Sequence, residues 1–144
     1  MLYITKIFHF EAAHALLGYN GECSNLHGHS YELRVTVKGN PIDDPASPKY
    51  GMVVDFKELK GIVNEHIVNV FDHALIMGGN MPEDFIAAVK RHFSKIIVVP
   101  YRPTTEMMLL DFSERIKSHL PENVKLDRLR LKETEGSYAE LVIE

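Results

Sequence analysis

Tyr31, Leu33, Val35 and Val37 alternate with Ser30, Glu32, Arg34, Thr36 and Lys38, and a period of two sustained this long admits only a strand with one buried face. Extended backward, the same parity carries His27 and His29 onto the apolar side. Residues 2–14 repeat the pattern, with Ile4, Phe8, Phe10 and Ala12 on one face and His14 in step with them. Two long half-buried strands need an apolar cover, and helical periodicity supplies it twice. Phe56, Leu59, Val63, Ile67 and Val70 recur at helical spacing behind Asp55, whose separation from Glu58 is that of a capping box. Met108, Leu109, Phe112, Ile116 and Leu120 do the same in a helix expected from about Thr104 to His119. The pattern predicts a further helix over Pro82 to Phe93 with acids in its first turn, and short strands at Met52–Val54 and Ile96–Val99. Val124 to Lys132 and Tyr138 to Ile143 close the chain as a hairpin. Strands at both ends with helices between them indicate an α+β fold on an antiparallel sheet.

At 144 residues one domain spanning 1–144 is expected. A net charge of −4 argues against a general nucleic-acid or anionic-membrane surface. The N-terminus alternates polar and apolar residues instead of showing a signal peptide's apolar block, and no apolar run approaches the roughly 20 residues of a membrane span, so a cytoplasmic location is expected. The single cysteine excludes an internal disulfide.

Cys23-Ser-Asn-Leu-His27-Gly-His29 concentrates the chemistry. Residues two apart on a strand point the same way, so His27 and His29 can reach one ion, and His14 has matching parity. Three neutral imidazoles with no evident fourth protein ligand describe an open, catalytic zinc site. Zinc is favoured because imidazole suits it and no carboxylate joins the set. Cys23 lies in the polar loop Gly21 to Asn25, where a thiol serves as base or nucleophile, or alternatively as the fourth ligand of a closed site. Asp72 beside His73 can fix an imidazole tautomer, or can be a solvated helix-end pair. Glu133 shares the parity of Leu129 and Leu131, so it either needs a strong donor, such as the guanidine-like edge of a heterocycle, or lies past the strand's end in water. Glu106 reads as a dipole-stabilising residue of a helix's first turn.

Together these residues resemble the 6-pyruvoyltetrahydropterin synthase and 6-carboxytetrahydropterin synthase family. The matching pieces are Phe10-Glu-Ala-Ala-His14, Cys23-x-x-x-His27-Gly-His29, Val54-Asp-Phe-x-x-Leu-Lys60, Asp72-His73, Pro103-Thr-x-Glu106 and Lys132-Glu-Thr134, in family order over most of the chain. Residues 78–99 match least and carry an extra helix and strand relative to compact members. The resemblance implies the tunnelling fold, a four-stranded antiparallel sheet with two main helices on one face. In it the subunits' sheets join into a barrel, a hexamer of paired trimers with active sites at subunit interfaces. It implies zinc on His14, His27 and His29, a proton-abstracting Cys23 thiolate, acid–base work by Asp72 and His73, and a pterin anchored by Glu133 with Thr105 and Glu106 near it. The implied reaction turns 7,8-dihydroneopterin triphosphate into 6-carboxy-5,6,7,8-tetrahydropterin, acetaldehyde and triphosphate in deazapurine synthesis. The three-residue gap between Cys23 and His27 resembles the carboxytetrahydropterin branch more than the 6-pyruvoyl one, and an aldolase-like activity giving the 6-hydroxymethyl product is a third alternative, with Glu22 beside Cys23 as its base. The non-enzymatic rival is a zinc-stabilised pterin-binding module. No glycine-rich nucleotide motif appears, and neither nucleic acid nor membrane is expected as a partner.

Overall fold

The long alternating segments form the two central strands of one sheet. The computed structural model describes residues 1–144, the side chain of Cys23 excepted. Strands β1 (Leu2–His14) and β2 (His27–Gly39) pair antiparallel over their whole length, from Leu2 opposite Gly39 to His14 opposite His27. β2 pairs antiparallel with β5 (Val124–Thr134), and β5 with β6 (Ser137–Val142). These four strands are the antiparallel sheet anticipated from the sequence.

The sheet does not stop there. β3 (Ala74–Gly78) runs parallel to the end of β1, and β4 (Ile96–Val99) runs parallel to β3. The order is β4-β3-β1-β2-β5-β6, so the expected four antiparallel strands become six mixed ones. β3 was missed because a short apolar run directly after a helix has no period that separates strand from helix. Met52–Val54 is not a strand: Val53 and Val54 are buried, but Val53 O accepts from Asn123 Nδ2 at 2.9 Å instead of joining a ladder.

Helix α1 (Phe56–Val63) starts at Asp55, whose carboxylate accepts from the Lys57 N–H at 2.9 Å. The reciprocal half of the capping box is not made, because Glu58 pairs with Lys49 instead. The helix continues through a π-helical turn (Asn64–Val68) and a last turn (Asn69–Phe71). Helix α2 (Glu83–His92) buries no residue, whereas α3 (Thr105–Ile116) buries Met108, Leu109, Phe112 and Ile116. α3 is capped by Thr104, which accepts from the Met107 N–H. Leu59, Val63, Ile67 and Phe71 meet this face over Phe8, Phe10, Leu33, Val35, Leu129 and Leu131 of the sheet. Phe10, Tyr31, Phe71 and Phe112 form an aromatic knot with centroids 4.9–6.5 Å apart, each pair worth about 0.5–1.5 kcal/mol beyond its buried area. This knot underlies one end of the β1–β2 pair, where the histidines stand. No helix among the described residues is long and apolar enough to cross a membrane.

Candidate metal centre

Strand register alone brings three imidazoles together. His14 is directly opposite His27, and His29 is directly opposite Ala12, so all three project from the helix-covered face at the open end of the β1–β2 pair. Ring centroids lie 4.6 Å apart for His14 and His27, 4.9 Å for His27 and His29, and 5.2 Å for His14 and His29. Two rings are oriented from behind by backbone: His14 Nδ1 donates to Pro103 O and His27 Nδ1 to Asn25 O, each at 2.7 Å. A carbonyl can only accept, so each Nδ1 carries a proton, and in the neutral ring each Nε2 presents a lone pair. Those two Nε2 atoms stand 3.0 Å apart. Two lone pairs at that separation repel unless a cation lies between them.

The structure adds a group that the sequence reading had excluded from the ligand set. Glu133 Oε1 is 2.8 Å from His29 Nε2 and 3.3 Å from His14 Nε2, and donor atoms of His14, His27, His29 and Glu133 all fall within 4.8 Å of one another. A carboxylate is therefore within reach of the cluster. Glu133 has the parity of Leu131, the direct partner of Leu33, and so lies on the same sheet face as Tyr31 and the histidines. His29 Nε2 is buried and, despite that short approach, makes no hydrogen bond of acceptable geometry. An orphaned ring nitrogen, two facing lone pairs and a nearby anion are the donor chemistry of a divalent cation site, so the residues fit a metal. Burial holds the His29 imidazolium pKa below its usual value, opposed by Glu133 and reinforced by the other two histidines, which favours the neutral, ligating ring. The Glu133 carboxyl is held below the usual carboxylate range by His14 and His29 against the opposing effect of burial.

Thr105, in the first turn of α3, joins the site by donating from Oγ1 to Glu133 Oε2 at 3.2 Å. Glu106, one residue on, is exposed and enters none of these contacts. The loop bearing Cys23 forms a short 3-10 turn (Glu22–Ser24) just before β2, but the thiol itself lies outside the described residues. Three contributors gave no sequence signal. The carbonyls of Pro103 and Asn25 are backbone, and Tyr31 packs its buried ring beneath His14 and His29 at 6.3 and 5.5 Å. Only the alternation of Tyr31 with its neighbours hinted at burial.

Asp72 and His73 stand apart from the cluster. His73 has φ 62, the one positive value at a non-glycine position among the described residues. It is held there by two bonds across to β1: His73 N–H donates to Glu11 O at 2.5 Å, and Glu11 N–H donates to Asp72 Oδ1 at 2.9 Å. This conformation leaves the imidazole 77% exposed with Nδ1 3.1 Å from Asp72 Oδ2. His73 lines a groove with Glu11, Ala13 and Ser30, which alternate onto the sheet face opposite the three clustered histidines. Residues held in this sparsely populated backbone region cluster at functional sites.

A family model described as 6-pyruvoyl tetrahydropterin synthase matches residues 3–144. The chain belongs to this family. A Haemophilus influenzae protein named 6-carboxy-5,6,7,8-tetrahydropterin synthase is 39% identical over 142 residues, covering 97% of this chain and 98% of the relative. An Aquifex aeolicus protein of the same name is 32% identical, with 95% of each chain covered. Among solved structures, an uncharacterised Wolinella succinogenes protein shares the fold with a TM-score of 0.80 at 22% identity, covering 99% and 98% of the two chains. Caenorhabditis elegans 6-pyruvoyl tetrahydropterin synthase does so with a TM-score of 0.68 at 22% identity, covering 99% and 96%. The chain has this family's α+β fold on a curled sheet, and two parallel strands extend one edge of that sheet.

Proposed function

We propose that this chain is a zinc-dependent lyase that converts 7,8-dihydroneopterin triphosphate and one water into 6-carboxy-5,6,7,8-tetrahydropterin with release of acetaldehyde and triphosphate. The observation that carries the reading is the four-donor cluster in a chain aligned end to end with relatives that share the name of that synthase. His14, His27 and His29 would hold the ion, with their rings set by Pro103 O, Asn25 O and the β1–β2 register. When bound, zinc supplies Lewis acidity toward the two neighbouring hydroxyls of the substrate side chain. Glu133, steadied by Thr105, accepts from the guanidine-like edge of the pterin ring, which positions the side chain beside the histidines. Cys23 accepts a proton from the side chain. His73, fixed in one tautomer by Asp72, handles the other. The ring is reduced at the side chain's expense, so no nicotinamide is needed.

The position of His73 on the opposite sheet face supports an active site completed by a second copy. Within the chain, β1 is paired on its outer edge only at Ala12–His14, and the outer edge of β6 carries no partner. Pairing β6 of one copy with the open stretch of β1 in the next extends the sheet head to tail, and such a contact closes into a ring. A hexamer of two such trimeric rings is the proposed assembly, and sedimentation showing a fully active monomer would refute it.

The decisive experiment is mass spectrometry of products formed by the zinc-loaded protein from 7,8-dihydroneopterin triphosphate. The 6-carboxy product with acetaldehyde is expected. Exclusive formation of the 6-pyruvoyl or 6-hydroxymethyl product would overturn the assigned reaction, and absence of turnover on any dihydropterin with zinc bound would leave only a binding module.

A further inference from the structure

Residues 78–99, which match the family pattern least, bring a cation to the turn that carries Asp72 and His73. β4 runs parallel to β3 with Ile96 opposite Leu75, so Lys95 enters the sheet beside the start of β3. Its backbone is fixed there by the Leu75 N–H, which donates to Lys95 O at 3.1 Å. Its ammonium donates at 2.8 Å to Asn69 O, in the last helical turn before the pair (Asn69–Phe71). Asp72 is the residue that caps this turn. A helix C-terminus carries partial negative charge, so a carboxylate placed there meets a like charge. The turn itself brings no charged side chain to offset it. From the neighbouring strands come Glu11, whose carboxylate accepts from Ser30 Oγ at 2.6 Å, and Lys95. Lys95 and His73 also share the wall of a groove of about 390 Å³ with Ala13, Leu26 and Phe93.

We propose that Lys95 is a positioning residue for the Asp72–His73 pair, fixing the helix end and offsetting its negative charge beside the carboxylate. The inference rests on the acid–base role given to that pair above. Carboxylate and helix end both draw a further proton onto the pair, and a pair that already holds it cannot accept one from substrate. A nearby ammonium repels that proton and keeps the pair in its accepting form to lower pH. The Asp72 carboxyl is held below the usual carboxylate range first by the Glu11 N–H, and Lys95 adds to this while burial opposes it. Lys95 lies outside the metal cluster, so its effect passes through Asp72 and His73.

NMR titration of the full chain with isotope-labelled histidine tests it, the His73 signal being assigned by its loss in His73→Ala. Lys95→Gln removes the charge yet can still donate an N–H, Lys95→Arg keeps the charge, and Lys90→Gln removes an exposed charge from α2 as the control. The midpoint of the His73 signal should rise by about half a pH unit in Lys95→Gln, the scale of one exposed charge nearby. The acid limb of kcat should move equally, a roughly threefold loss of turnover below it with KM kept within about twofold. Lys95→Arg should restore both, and Lys90→Gln should match wild type. Lys95→Met, which also lacks the charge, serves if the glutamine variant folds poorly. An unmoved midpoint overturns the proposal, and with a lower melting temperature it would make Lys95 a helix cap alone. An equal rise in Lys90→Gln overturns it too, because the effect would then be one of overall charge. Wild-type turnover in His73→Ala would bring down the acid–base reading and this inference with it. Lost turnover in His73→Ala beside an unmoved midpoint in Lys95→Gln would bring down this inference alone.

Discussion

Replacing Glu133 by glutamine separates two roles that its position makes possible. The carboxylate is 27% exposed, 2.8 Å from His29 Nε2 and 3.3 Å from His14 Nε2, with Thr105 donating to its other oxygen. As a pterin anchor it would accept two N–H bonds from the ring edge. The amide keeps one acceptor and presents an NH2 group to the second N–H, so one charge-assisted bond is lost and the other weakened. At about 1.5–3 kcal/mol for a bond to a charged group, the combined cost is about 3 kcal/mol, or roughly a hundredfold in kcat/KM. Thr105 can still donate to the amide oxygen, so the fold and the three imidazoles should be undisturbed. Steady-state kinetics with parallel metal analysis by plasma emission would show kcat/KM falling about a hundredfold while bound zinc stays equal to wild type. A variant that loses its zinc while KM stays within about twofold of wild type would make Glu133 a metal ligand and refute the anchor.

Cys23→Ala should keep zinc and pterin binding but lose roughly a thousandfold in turnover, the scale expected when a positioned proton acceptor is removed; loss of zinc instead would make the thiol a ligand. Asp72 supplies an acid-limb test. Its carboxyl is held below the usual carboxylate range first by the Glu11 N–H and then by His73, with burial opposing. Its folded value is the lower one, so its stabilisation is complete above the unfolded pKa of about 3.9 and fades as pH falls through the folded value. At 38% exposure water screens this to less than about 1 kcal/mol, so Asp72→Asn should make the fall in melting temperature below about pH 4 shallower, and an unchanged slope would refute it. Phe71→Ala removes a fully buried ring that meets Phe112 at 5.0 Å and lies under the Arg115 guanidinium at 4.9 Å. Urea unfolding should show a loss of about 3–5 kcal/mol, and a loss below about 1 kcal/mol would mean that the aromatic knot does not hold the core.

Period and parity carried much of this protein in the sequence alone. Alternation marked β1 and β2 and put His14, His27 and His29 on one face, because directly paired and next-nearest strand residues must share a side. Helical spacing marked α1 and α3, and their caps at Asp55 and Thr104 lie where local chemistry expects them. What needed the tertiary structure was everything fixed by pairing between distant segments. β3 is a short apolar run whose partners, not its composition, make it a strand, and β4, expected as a strand, owes its parallel place beside β3 to pairing. The carbonyls of Pro103 and Asn25 that aim two rings are backbone groups and leave no trace in residue identity. Parity put Glu133 on an apolar face, but its approach to His14 and His29 depends on how β5 pairs with β2. His73 was visible as a residue, but its left-handed backbone and its place on the far face follow from bonds to Glu11, sixty-odd positions earlier. A sequence specifies which way a side chain can point within its own element; only the packing of elements decides what it meets.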